Sequence, residues 1–189
     1  VTSYFYIIRF VKDRRFAVIG GLLYAFSGYC IYNLFFNHFL DVVAFFPLIL
    51  IGLEMLITED KHGPFAAAVA LNAVVNYWFF IGEVVFTVLY FFIRITDKDI
   101  THKFRKFIYV AIESVIGLLV SAVVVLPSVL AILDNPRTGA DNFINGWNLW
   151  LYYSEQRIPA IIASFFFPPD MPSKQNMFTG QGAQWASMA

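Results

Sequence analysis

The stretch Pro64–Ile95, PFAAAVALNAVVNYWFFIGEVVFTVLYFFIRI, decides how this chain is folded. Its 32 residues hold one acid, Glu83, and one base, Arg94, in otherwise apolar sequence. As a single helix it would be about 48 Å long, against a hydrocarbon core of about 30 Å. As a hairpin it turns near Tyr77–Glu83 and both arms are short. Charge separates the two. The next segment, Thr96–Lys106, carries Lys98, Lys103, Arg105 and Lys106, and short cytoplasmic loops collect Lys and Arg. A hairpin puts ten of the thirteen basic residues on the cytoplasmic side, a single helix only eight. The hairpin satisfies the rule better.

The neighbouring segments extend the same pattern. Phe16–Phe36 is apolar for 21 residues, enough to cross a bilayer. Asp41–Ile57 follows, with Pro47 expected to kink the helix rather than end it. Thr58–Gly63 is a polar turn, and Pro64 suits the first position of a helix. Phe107–Leu133 is a last outward span, with Pro127 near its outer end, stopped by the turn residues Asp134–Gly139. Val1–Phe10 reads as the last turns of a spanning helix, so an internal fragment is expected. The expected fold class is all-α integral membrane: a polytopic helix-bundle fragment, residues 1–133, with about five spans plus a truncated N-terminal stub. Residues 134–189 are expected to form an extracytoplasmic, aromatic-rich interfacial segment. Trp147, Trp150, Tyr152 and Tyr153 suit the membrane–water interface. Ile158–Phe167 is too short to cross and suits an interfacial helix, stopped by Pro168, Pro169 and Pro172.

Composition agrees with a membrane protein. Hydrophobic residues make up 59% of the chain and charged residues 14%, against about a quarter charged in ordinary globular domains. Net charge is zero, and no basic run with interleaved aromatics points to nucleic acid. The single cysteine, Cys30, reads as a small buried apolar residue. There is no CxxC, HExxH, P-loop or GxSxG motif. His38, His62 and His102 are scattered over opposite sides, so no metal site is expected. No catalytic set is legible, and the catalytic residues stay unknown.

Acids at membrane depth cost about 2.5–3.5 kcal/mol on insertion scales, so each needs an account. Asp41 reads as a helix N-cap, or with His38 as part of an outward-facing cavity. Glu54 is expected to reach the headgroups, and Glu113 to pair with Lys106 and Lys103. Glu83, with Asn72 and Asn76 on the preceding arm, reads equally as interhelical hydrogen bonding or as the lining of a polar substrate cavity. The cavity candidates are therefore His38, Asp41, Asn76 and Glu83. In the tail, Arg137 and Arg157 are candidates for a lipid phosphate, with solvated surface as the ordinary reading.

Leu23–Tyr29 (LYAFSGY), Asn37 through Asp41, and Phe46–Glu54 (FPLILIGLE) resemble the YfhO-like bacterial membrane protein family. Asn76-Tyr77, Leu126-Pro127 with Asp134-Asn135-Pro136-Arg137, and Phe167-Pro168-Pro169-Asp170 resemble it too, in the same order and spacing. That family is similar to the GT-C glycosyltransferases, many-spanning enzymes that take a sugar from a polyprenyl-phosphate carrier. The resemblance implies an outward-facing site in the bacterial cytoplasmic membrane and a cell-envelope acceptor. It also implies a principal acidic residue in an outer loop upstream of Val1. Such chemistry needs a base for the acceptor hydroxyl, and a cation such as a divalent metal ion, or hydrogen-bond donors, for the departing phosphate. The rival class is a transporter or flippase for a lipid-linked or amphipathic substrate, because carriers build their sites from broken helices.

Overall fold

The computed structural model describes residues 1–33, 37–98 and 100–133. Among the described residues there are seven helices and no strand: α1 Thr2–Ile7, α2 Arg14–Ala25, α3 Gly28–Tyr32, α4 Asn37–Glu59, α5 Pro64–Val75, α6 Tyr77–Arg94 and α7 Lys103–Leu133. Contacts divide the chain into two compact units, Val1–Ala131 and Ile132–Ala189. The described residues lie in the first unit, save the last two of α7. The aromatic tail, with Arg137 and Arg157, lies outside the described residues.

α4 is the spine, and its neighbours alternate in direction. α1 runs parallel to it, since Thr2 bonds the Ala44 carbonyl while Arg9 pairs with Glu59. α2 runs back, with the Tyr24 hydroxyl on the Val43 carbonyl. α5 is antiparallel to α4: Phe65 lies against Gly52, and Asn72 reaches Phe45. α6 returns parallel to α4, setting Phe79 edge-to-face against Phe39 and Phe86 against Phe46. α7 runs beside α5, where a Cβ on Gly117 would sit 2.6 Å from the Ala66 carbonyl oxygen. Glycine at 52 and 117 is thus what lets α5 lie against both of its neighbours. Ile49, Leu53, Leu56, Phe65, Val69 and Phe80 fill the space between.

Burial in this bundle is inverted relative to a water-soluble one. Glu54, Asn72, Glu83, Lys106, Glu113 and Ser121 are buried, while Val123 is 81% exposed and Ile93 73% exposed. A continuous apolar exterior of this kind is a surface made for lipid.

The hairpin is present, but it turns at Asn76 (φ −155°, ψ 87°), before the expected Tyr77–Glu83. Glu83 consequently lies inside α6 and not in a turn. The expected span count is not reached. Among the described residues two helices, Phe39–Glu59 and Lys103–Ala131, are long and apolar enough to cross a membrane. α5, at 12 residues, is only about 18 Å long. The expected single span Phe16–Phe36 is broken: α2 ends at Ala25, Phe26 leaves helical geometry (φ −104°, ψ 25°), and α3 restarts after Ser27. Apolar character alone did not reveal this, because the break falls within an unbroken apolar run.

Pro47 behaves as expected, sitting inside α4 without ending it. It also has a consequence for packing. Proline has no N–H, so the carbonyl four residues before it, that of Val43, has no intrahelical donor. The Tyr24 hydroxyl supplies one at 3.0 Å. Thr2 and Asn72 donate to the next two carbonyls, those of Ala44 (2.6 Å) and Phe45 (3.4 Å). Three neighbouring helices thus pin α4 where its proline weakens it. Tyr24→Phe leaves the Val43 carbonyl without a donor and lowers stability by about 1–3 kcal/mol. Thermal unfolding in nanodiscs checks this, and an unchanged midpoint contradicts it.

At the basic end the expected partners are rearranged. Glu113 does not pair with Lys106 or Lys103. It crosses from α7 to the start of α5 and accepts from the Gly63 N–H (3.0 Å) and the Ala66 N–H (3.2 Å), with His62 Nδ1 3.0 Å away. α5 has Gly63, at φ +101°, in the cap position and no side-chain cap of its own. Glu113 satisfies the orphan donors at that terminus from another helix. Lys106 instead bonds the Leu56 carbonyl (3.3 Å) and Asp60, satisfying the C-terminus of α4 as a lysine suits.

Asp60 is exposed, and its bond to Lys106 holds its carboxyl below the ordinary carboxylate range. A depressed folded pKa contributes stability above the unfolded value, near about 4, and loses it as pH falls through the folded value. Wild type is therefore more stable than Asp60→Asn at pH 7, and the gap closes on acidification below about pH 4. Paired melting curves at pH 7 and pH 3 read this directly.

Candidate functional site

Two helices stop at one level of α4. α2 ends just past Tyr24, which meets Val43, and α5 ends just past Asn72, which meets Phe45. Non-helical backbone at membrane depth persists only where protein buries it or a cavity takes it up. Each break is locally supported. After α2, the Ser27 hydroxyl lies 3.3 Å from the Cys30 sulfur, which approaches the Tyr24 carbonyl at 3.7 Å. Cys30 is buried, as expected for a small apolar residue. Asn33 is buried and turns its amide onto the Tyr29 carbonyl at 2.9 Å. After α5, the Asn76 side chain accepts from the Phe79 N–H at 3.4 Å and starts α6. Beside the break after α2 a cleft of about 510 Å3 opens, with Thr2, Ser3, Tyr24, Cys30 and Val43 among its walls.

Glu83 comes to this level from α6. It lies on the register 79–83–86, between the Phe79–Phe39 and Phe86–Phe46 contacts, so its turn faces α4 near Val42 and Val43. It is within electrostatic reach of Tyr24. Only 7% of the residue is exposed, and Oε2 is buried without a hydrogen-bond partner. Buried polar atoms are nearly always paired, so an orphan carboxylate oxygen needs a reason. This one is free to accept a hydrogen bond from a hydroxyl or amide. The Glu83 carbonyl is occupied, accepting from Thr87 at 2.6 Å.

The other candidates divide. Asn76 belongs to the same end of the bundle and is occupied as the cap of α6. Asp41 lies inside α4, whose start at Asn37 removes it from the N-cap position, and it is exposed rather than buried with Glu83. His38 belongs to the first turn of α4, and its side chain is outside what is described. Among the described residues no cluster of three or more His, Cys, Asp or Glu side chains is arranged to hold a metal ion.

Glu54 departs from its expected place at the headgroups. It is 2% exposed and forms the hub of a buried network. The Tyr90 hydroxyl donates to Oε1 at 2.5 Å, Arg94 Nε donates to Oε1 at 2.9 Å, and Arg94 Nη2 donates to Oε2 at 3.3 Å. Tyr6 of α1 adds its hydroxyl to that of Tyr90 at 2.9 Å, and Arg94 continues to Asp97. This network and Tyr24 are what sequence reasoning missed. Tyr24 had a signal, the proline four residues after Val43. The Glu54–Arg94 pair bridges 40 residues and had none.

The family described as bacterial membrane protein YfhO matches residues 1–173. A relative named "Uncharacterized protein YfhO", from Bacillus subtilis (strain 168), is 26% identical over 131 residues, covering 67% of this chain. The matched region is 15% of that relative's length. No solved structure matches.

Proposed function

The chain belongs to the bacterial membrane protein YfhO family, and from that premise we propose that it is part of a GT-C-like glycosyltransferase of the bacterial cytoplasmic membrane. The reaction takes a sugar from a polyprenyl-phosphate carrier and passes it to a cell-envelope acceptor on the extracytoplasmic side. Glu83 carries this reading: a buried carboxyl with one unpaired oxygen, at the level where two neighbouring helices stop. Orientation follows from charge. Arg9, Arg94 and Lys106 gather at one end of the bundle with their acidic partners, and basic residues favour the cytoplasm. The Asn76 end and residues 134–189 are then extracytoplasmic.

In such a transfer the acceptor oxygen bonds to the anomeric carbon as the bond from that carbon to the carrier phosphate breaks. The phosphate leaves with the electron pair, and the hydroxyl proton goes to a carboxylate base. Glu83 is assigned the role of holding a sugar or acceptor hydroxyl, with Asn76, His38 and Asp41 at the rim of the cavity. Arg137 and Arg157 are assigned to the departing phosphate, a divalent cation being the alternative counter-charge.

Reconstituting the full-length protein with radiolabelled polyprenyl-phospho-sugar and envelope acceptor tests the reading. Label moving to the acceptor while donor is consumed supports it. The second reading is a flippase for a lipid-linked substrate, favoured by two helices interrupted at one depth. In the same liposomes it predicts a shift of donor between leaflets with no label in the acceptor.

A further inference from the structure

A second cavity lies between α6 and α7. It holds about 230 Å3, with Phe91 and Phe92 on one wall and Phe107, Val110 and Leu118 on the other. Its two hydroxyls are already used: Thr87 donates to the Glu83 carbonyl and Ser114 to the Val110 carbonyl. No polar group is left for a polar occupant. The surface around it is exposed and apolar, with Val88 46%, Phe92 55% and Phe107 47% exposed.

Length and charge identify the occupant. From Phe80 to Phe92 along α6, and from Phe107 to Leu118 along α7, the groove runs about 17 Å. That is close to one leaflet's half of a hydrocarbon core of about 30 Å. Lys103 lies one turn before Phe107, on the groove-lining register 103–107–110–114. Lys98 sits in the same α6–α7 connection. Both are exposed, and neither makes an ion pair among the described residues. Their neighbours are committed elsewhere, Arg94 to Glu54 and Asp97, and Lys106 to Asp60. An apolar channel one leaflet long, with two unpaired cations at its basic end, matches a single amphiphile with an anionic head.

We infer that this groove seats an acyl chain of an anionic bilayer phospholipid, whose phosphate rests on Lys98 and Lys103. The site lies in the leaflet at the basic end, opposite the Asn76 end, and is independent of the glycosyltransferase reading.

The test uses full-length protein in liposomes containing phosphatidylglycerol or phosphatidylcholine with a photoreactive acyl chain. Labelled peptides are mapped by mass spectrometry. At equal mole fraction the anionic probe labels α6 and α7 groove peptides about tenfold more than the zwitterionic one, as two lysines near an anionic headgroup predict. Lys98→Ala with Lys103→Ala brings the two probes level without changing the melting midpoint. Ala111→Trp, at an exposed position on the groove wall, removes groove labelling by both probes. Three outcomes overturn the inference. One is an unlabelled groove beside labelled outer faces of α7, which means another part of the protein covers it. Another is equal labelling of wild type by both probes, or a preference that survives loss of the lysines. The third is displacement of the probe by unlabelled polyprenyl phosphate at lower mole fraction than by phosphatidylglycerol.

Discussion

Glu83→Leu makes the protein more stable and inactive. The carboxyl is buried with Oε2 unpaired, and a buried polar atom without a partner costs about 1–3 kcal/mol. An apolar side chain of similar size removes that cost while keeping the Phe79–Phe39 and Phe86–Phe46 contacts on either side. Stability should therefore rise by about 1 kcal/mol or more. Activity should fall by about 10²-fold or more, the scale of a lost hydrogen-bonding or proton-handling group. Gain of stability with loss of function marks a site held under strain for its chemistry. Glu83→Gln keeps the shape and a donor–acceptor pair, and should fall between wild type and Glu83→Leu. The readouts are the melting midpoint in nanodiscs and labelled sugar transferred per mole of protein. A Leu variant that is destabilised places Glu83 among the structural polar residues.

The second large effect is structural. Glu54→Ala leaves Arg94 without its main counter-ion and Tyr90 without its acceptor, inside a site where Glu54 itself is 2% exposed. Removing one member of a buried pair typically costs about 3–5 kcal/mol. The Arg94 side chain is 23% exposed, so water relieves part of this and the lower end, about 3 kcal/mol, applies. Arg94→Ala costs at least as much as Glu54→Ala, because it leaves the buried Glu54 carboxylate with the neutral Tyr90 hydroxyl alone, whereas the partly exposed Arg94 keeps Asp97. The double variant costs less than the sum, and the shortfall in a double-mutant cycle is the coupling of the pair. Strict additivity contradicts a direct interaction. α1 joins the network through Tyr6, so Glu54→Ala should also expose α1 to proteolysis first.

The segments with a local signal were legible in the sequence. α5, α6 and α7 follow from apolar length, from Pro64 at a helix start, and from the basic segment between Thr96 and Lys106. The hairpin followed from the side on which charge must lie. Its turn lies earlier than the sequence suggests, because Asn76 is a single residue in an apolar run and the stronger-looking interruption, Gly82-Glu83, is helical. The break after Ala25 was hidden for the same reason. Side-chain partners were the least legible. Glu113 sits two to three turns from Lys106 and Lys103 in sequence, and intrahelical spacing favoured that pair. The unsatisfied N–H groups at the start of α5 draw it across to another helix. Glu54 looked able to reach solvent because its own helix end is near, but α6 and α1 cover it. At the site, Glu83 stands out as an acid at membrane depth beside Asn72 and Asn76, and its buried, unpaired Oε2 sharpens that observation.

The most direct measurement treats the full-length protein in liposomes with a membrane-permeant carbodiimide, which modifies protonated carboxyls in apolar surroundings. Labelled residues are then mapped, with and without polyprenyl-phospho-sugar. Glu83 should be modified before Glu54 and Glu113, whose oxygens are held by Arg94 and by the α5 terminus, and the donor should slow its modification. Modification of Glu54 or Glu113 ahead of Glu83, or a rate at Glu83 that the donor leaves unchanged, would contradict a substrate cavity built around Glu83.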